Sequence, residues 1–182
     1  MIHVGTDKRQ LRSAELLVEG LVKCMEFKEF GEISISDLHE ASGVSRATFY
    51  RLFDNIQDVL SYKCKMIAAE LPEQLKEGGQ EEGFLLFSLG YWMKQHKFLE
   101  AVYTSGRGDI LQEALLEYSS FLKEYLPIES ITRVQIDYFL SASMGFLSNI
   151  LLTWVKRGKK ETAGDLLEMF YDLYKVMPGA LN

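Results

Sequence analysis

Along the first thirty residues the apolar positions Leu11, Ala14, Leu17, Val18, Leu21 and Met25 recur at intervals of three and four. That is the period of an amphipathic helix, not the alternation of a strand, and it predicts a helix over about 7–28. After Gly31, Ser34 stands three residues before Asp37, a capping-box spacing with Asp in place of Glu or Gln, and it opens a short helix with Leu38 and Ala41 on its apolar face. Gly43 breaks that helix. Ser45 can cap the next segment, 46–53, whose apolar positions are Ala47, Phe49, Tyr50 and Phe53. Asp54, with Gln57 three residues on, is the expected cap of a fourth helix carrying Ile56, Val59, Leu60, Cys64, Ile67 and Leu71. Further helices are predicted at 82–96, 98–104, 107–126, 130–157 and 161–177, with Pro127, Gly158 and the pair Pro178 and Gly179 as stops. No segment shows a clear period of two, so the expected fold is all-α with about nine helices.

Two late helices carry more apolar surface than one core requires. From Tyr138 to Val155 most turns are apolar on most sides, and 161–177 repeats this. A helix apolar all round must be covered all round. Either it forms the centre of a monomeric bundle, or a helix pair meets its symmetry mate in a four-helix dimer interface. The second reading puts Phe146, Ile150, Trp154, Leu166, Phe170, Leu173, Tyr174 and Met177 at the interface.

Composition narrows the class. The chain has 182 residues, 47% apolar, with 20 basic and 26 acidic side chains and a net charge of −6. This length supports one ordinary domain or two small ones without a covalent staple. Two cysteines far apart, Cys24 and Cys64, fit a reducing cytoplasm and buried thiols better than a disulfide framework, although a redox pair is open if the helices bring them together. Residues 1–11 have charges where a signal peptide needs an apolar run. The apolar stretches 84–93 and 144–155 fall short of the roughly 20 residues a bilayer requires, so no membrane span is expected. The three histidines are scattered, and His96 with Glu100 makes at most two metal ligands. No glycine-rich phosphate loop or nucleophile elbow is present. Neither catalysis nor a cofactor is expected.

The segment from Ser34 to Phe53 has the dimensions of a helix-turn-helix, whose second helix presents its early residues to base edges in the major groove. Arg46 and Arg51 offer forked donors, Thr48 a hydroxyl and a methyl, and Tyr50 a phenol within reach of a phosphate. Spacing alone fits a solvent-facing stripe equally well. The residues add more: the run from Ile35 to Phe53, with Gly43-Val44-Ser45, Thr48-Phe49-Tyr50 and the final Phe53, resembles the helix-turn-helix of TetR-family transcriptional regulators. The match covers about Lys8 to Leu60. Beyond it the chain matches only in length and helical character.

The resemblance implies an N-terminal DNA-binding domain, residues 1–62, joined by a long helix to a dimerising, ligand-sensing bundle, 63–182. It places Ser34 and Ser36 near a phosphate, Ser45, Arg46, Ala47, Thr48 and Arg51 at the groove, and Tyr50 on the backbone, with Lys8, Arg9 and Arg12 on flanking phosphates. Two positions depart from the family: Ala47 replaces a small residue that is often Gly, and Ile56 stands where a phosphate-gripping Lys is common. The expected partners are a double-stranded palindromic operator, a second copy of the chain and a small apolar or aromatic effector. Candidate pocket residues are Tyr91, Trp92, His96, Tyr103, Phe139, Ser143, Met144 and Asn149, each of which also suits plain core packing. The expected function is ligand-relieved repression. The alternatives are a coactivator on the same fold whose C-terminal part binds a protein, and a helical binding protein with no DNA role. The net charge does not exclude DNA, because residues 1–65 hold 9 basic and 10 acidic side chains while 66–182 hold 11 and 16. Modest non-specific affinity and a larger share of base-edge specificity are expected.

Overall fold

The computed structural model describes residues 1–78, 83–125 and 132–176. Among them are nine α-helices: α1 (Lys8–Cys24), α2 (Ile35–Ser42), α3 (Arg46–Leu52), α4 (Ile56–Gly78), α5 (Phe84–Met93), α6 (His96–Thr104), α7 (Gly108–Glu117), α8 (Arg133–Lys156) and α9 (Ala163–Val176). Short 3-10 segments lie at Phe30–Glu32 and Ser119–Tyr125. Extended pairing among the described residues is limited to one antiparallel bridge, Ile2 with Phe53. The all-α expectation therefore holds.

Local chemistry sets most helix starts. The Asp7 carboxylate accepts from the Arg9 and Gln10 amides at 2.9 and 3.2 Å and starts α1. Ser34 and Asp37 form the reciprocal box that opens α2, and Thr132 with Gln135 does the same for α8. At α9 the Thr162 hydroxyl accepts from the Asp165 amide, while Asp165 accepts from the Thr162 amide. Each box satisfies two backbone donors that a helix end leaves open.

Four boundaries differ from expectation. First, α1 stops at Cys24 because the amides of Glu26 and Phe27 turn to carbonyls three residues back, tightening the chain into a turn. Second, Asp54 does not cap α4. Its carboxylate is held by His3 Nε2 and the Met1 amine, both at 2.8 Å. The cap is Asn55, whose Oδ1 accepts from the Asp58 amide at 3.0 Å while Asp58 accepts from the Asn55 amide at 3.2 Å. Third, α4 continues through Pro72. Buried Leu71 and Leu75 on either side keep the helix on the core despite the missing hydrogen bond. Fourth, the helix expected over 107–126 divides after Glu117, where the Ser119 hydroxyl donates to the Leu116 carbonyl at 2.8 Å. Pro127, Pro178 and Gly179 lie outside the described residues.

The buried side chains form one continuous cluster from Ala14 on α1 to Trp154 on α8. In the N-terminal part it is built on Leu17, Leu21, Leu38, Phe49, Leu52 and Phe53, and beyond α4 on Leu89, Trp92, Leu99 and Ile110. At Gly20, α1 and α2 nearly touch: a Cβ there would lie 2.8 Å from the Ser42 Cβ. By length and composition α8 is sufficient to cross a membrane, contrary to expectation, because residues 134–143, ahead of the stretch 144–155 counted from sequence, carry a single charge at Asp137. Its buried positions Ile136, Leu140, Met144, Leu147, Leu151 and Trp154 repeat every three or four residues. One side of α8 is thus packed into the bundle.

Candidate functional site

The turn between α2 and α3 is held by backbone and side chain together. Gly43 adopts the left-handed conformation at φ 70° and its amide donates to the His39 carbonyl at 2.9 Å. That conformation costs a side-chain-bearing residue about 1 kcal/mol or more. His39 Nδ1 donates to the Val44 carbonyl at 2.7 Å, and the Val44 amide donates to the Ser42 hydroxyl at 3.1 Å. Val44 itself is buried. Ser45 then caps α3: its Oγ accepts from the Thr48 amide at 3.2 Å and donates to Thr48 Oγ1 at 3.0 Å.

With seven residues, α3 is about 10 Å long, a length a major groove about 12 Å wide accommodates. Phe49 and Leu52 point inward and are fully buried. Arg46, Ala47, Tyr50 and Arg51 are exposed and Thr48 is half-buried. The Tyr50 side chain is 57% exposed and its ring meets Phe49 edge-on at 5.3 Å. Arg46 Nη2 donates to Ser36 Oγ at 2.7 Å, which ties the first turns of α2 and α3 with one of five guanidinium donors.

The expected flanking contacts are placed less uniformly. Lys8 and Arg9 are exposed in the first turn of α1. Arg12 faces Glu15 and Glu19 at 3.3 and 3.7 Å. The Ser34 hydroxyl is turned onto Asp37 at 2.8 Å, and Lys28 Nζ reaches the other oxygen of that carboxylate at 2.8 Å. Lys28 first, then Ser34, hold Asp37 far below the usual carboxylate range. The amine of Met1 and then His3 lower the Asp54 carboxyl, which stays ionised, and the positive charge of the paired amine offsets the repulsion that this acid would present to a phosphate. Ile56 packs against the core, a role that a lysine there would not fill. Lys28 and His39 are the residues of this region that sequence reading missed. Only the paired spacing to Asp37 and to the turn could have pointed to them.

In the C-terminal part the eight candidate pocket residues do not share one cavity. Trp92 and Met144 lie in the core. Tyr91 is half-buried, donates to the Ile67 carbonyl and to Glu70, both at 3.2 Å, and has its phenol pushed up to about 12 by burial. His96 and Tyr103 are exposed on α6. Burial, then the charges of Lys159 and Lys97, lower the His96 imidazole. Glu100, its expected partner, is taken by Lys159, and no group of three metal-binding side chains occurs among the described residues. Asn149 donates to the Gly145 carbonyl at 2.7 Å and faces the groove between α8 and α9. Phe139 and Ser143 alone of the eight line an apolar cavity of about 530 Å³, with Phe84, Leu85, Leu122 and Phe146. Phe84, Leu85 and Leu122 were not foreseen, although Phe84 and Leu85 open a strongly apolar helix, and Phe146 was expected at the self-association face. Cys24 and Cys64 are free and buried, and burial pushes the Cys64 thiol up to about 12.

The residues expected at a self-association face gather along α8 and α9. Phe146 and Phe170 meet edge to face at 4.5 Å. Ile150, Trp154, Leu166 and Leu173 line a groove of about 420 Å³ with Met169. Trp154 is buried within its own chain and donates to the Glu161 carbonyl at 2.8 Å. The Tyr174 side chain and Met177 lie outside the described residues.

Neither a family model nor a curated protein matches the chain. Among solved structures, it is similar to Lin0861 from Listeria innocua, with a TM-score of 0.73 and 17% identity over 96% of this chain and 97% of that one. At this identity the likeness is one of fold. It extends through both the helix-turn-helix segment and the helices beyond it.

Proposed function

We propose that the protein is a TetR-type transcriptional regulator that binds a palindromic DNA operator as a homodimer and represses by occlusion, with a small apolar or aromatic molecule relieving repression. The observation carrying this reading is the capped helix α3. Phe49 and Leu52 anchor it, and it offers Arg46, Ala47, Tyr50 and Arg51 outward. A helix so anchored can enter a groove without losing its own packing. The apolar groove along α8 and α9 supports the pairing of two copies, since a two-fold axis there would set the two α3 helices at a fixed spacing.

Selection of bound DNA from a random pool tests the proposal. A palindrome with half-sites about one helical turn apart is the expected result. Arg46→Ala combined with Tyr50→Phe should weaken retardation of the selected DNA at least about tenfold, the loss of one good base or phosphate contact and part of a second. Unchanged retardation would overturn the placement of α3 in the groove. Failure to select any sequence would favour the helical binding protein without a DNA role. Native mass spectrometry in which only a protein partner is captured would favour the coactivator.

A further inference from the structure

Three arginines of the chain face a carboxylate: Arg12 with Glu15 and Glu19, Arg107 with Asp109, and Arg157 with Glu161. Arg46 is held differently. Its Nη2 donates to the Ser36 hydroxyl oxygen at 2.7 Å, a neutral acceptor ten residues back on another helix. Among the described residues no acid pairs with it, so its charge stays whole. Both ends of the tie are exposed, and each lies in a first turn, Ser36 in α2 and Arg46 in α3. The turn between the helices is fixed by the hydrogen bonds of His39 and Ser42 to Val44, so the Ser36 oxygen is a stationary point beside α3.

An arginine loose in solvent samples many rotamers and must surrender them on binding. One already tethered has surrendered part of that freedom beforehand. The other four guanidinium donors of Arg46 stay open. Two of them suffice for guanine, which presents O6 and N7 as neighbouring acceptors in the major groove. Adenine sets a donor beside N7 and cannot answer a fork of donors. A phosphate also accepts such a fork, but phosphates occur at every step of the duplex and carry no sequence information. The tether therefore decides which of the two acceptors the side chain reaches.

We infer that Ser36 is a positioning residue that commits Arg46 to a guanine in each half-site and keeps it off the phosphates. The inference rests on the DNA-binding reading above and adds the base that is read and the residue that enforces the reading.

Selection of duplexes from a random pool with the full chain and with Arg46→Ala tests it. One guanine per half-site should be present for the parent and absent for the variant. Affinities are then measured at one fixed salt concentration for the selected duplex, for the duplex with that G·C pair changed to A·T in one half-site, and for a shuffled duplex. The change to A·T should weaken the parent about tenfold or more, Ser36→Ala about threefold or less, and Arg46→Ala not at all. Ser36→Thr, which keeps the hydroxyl, should restore the parent's discrimination. On the shuffled duplex Ser36→Ala should match the parent within about twofold, because no phosphate-neutralising charge is removed, whereas Arg46→Ala should bind more weakly with a salt slope lower by about one. A guanine retained after Arg46→Ala, or equal discrimination by the parent and Ser36→Ala, overturns the inference and leaves the regulator standing. Equal loss by Ser36→Ala on the selected and shuffled duplexes also overturns it, since Ser36 then only supports the fold. If the parent selects no sequence, the DNA-binding reading falls, and this inference falls with it.

Discussion

Around α2 and α3 the polar side chains hold one another, whereas along α8 and α9 large apolar side chains stand in solvent. In the first region Ser34, Asp37 and Lys28 interlock, Ser45 engages Thr48, and Arg46 reaches Ser36. In the second, Phe139 is 49% and Leu173 64% exposed. The contrast separates two kinds of incompleteness. The helix-turn-helix segment has its internal hydrogen bonding in place and keeps outward donors of the kind that the proposed DNA partner would engage. Among the described residues the α8 and α9 face lacks apolar cover, which is the surface that the proposed pairing of two copies would bury.

The comparison breaks most visibly at Phe49, the fully buried anchor of α3. Phe49→Ala should destabilise the fold by about 3–5 kcal/mol in denaturant titration, and a loss under 1 kcal/mol would mean that α3 is not held as described. Gly20→Ala forces α1 and α2 apart at their closest approach and should cost about 1–3 kcal/mol by the same measurement. Gly43→Ala, placed at φ 70°, should cost about 1 kcal/mol. Acid titration sharpens the electrostatic side. The folded Asp37 carboxyl titrates below its unfolded value, so its contribution is present above the usual carboxylate range and is lost as pH falls through the lower, folded value. Asp37→Asn should remove that part of the acid dependence, and an unaltered pH profile would contradict the Lys28 contact. The smallest effect on protomer stability belongs to Leu173→Ala, within about 0.5 kcal/mol. The same change should shift sedimentation toward the monomer. No shift would leave the α9 face without a role in self-association.

How far the sequence could be read follows from how local each cause is. Ser34 with Asp37, and Ser45 with its following turn, are settled within four residues, and the expected caps are the observed ones. Asp54 was misjudged because its partners, Met1 and His3, lie some fifty residues away in sequence, and that distant pairing hands the cap to Asn55. Leu71 is the last apolar position read on α4, whereas packing on both sides of Pro72 carries the helix on to Gly78. In the C-terminal part, periodicity identified the inward faces of α5 and α8 but not their depth. Trp92 and Met144 therefore fell in the core, while Phe139 and Ser143, on a neighbouring stripe of α8, reached the cavity wall. Burial depth depends on which helix crosses which, and that information is spread over the whole chain.

Pro72 gives α4 a mechanical character. A proline donates no hydrogen bond to the carbonyl four residues back, so a helix bends there more readily than elsewhere. Sixteen residues separate it from Ile56, an arm of about 24 Å. A tilt of about 5° at that joint would carry the far end of the arm by about 2 Å, and because Val59 and Leu60 near that end are fully buried in the shared core, the N-terminal helices packed on them would have to move with it.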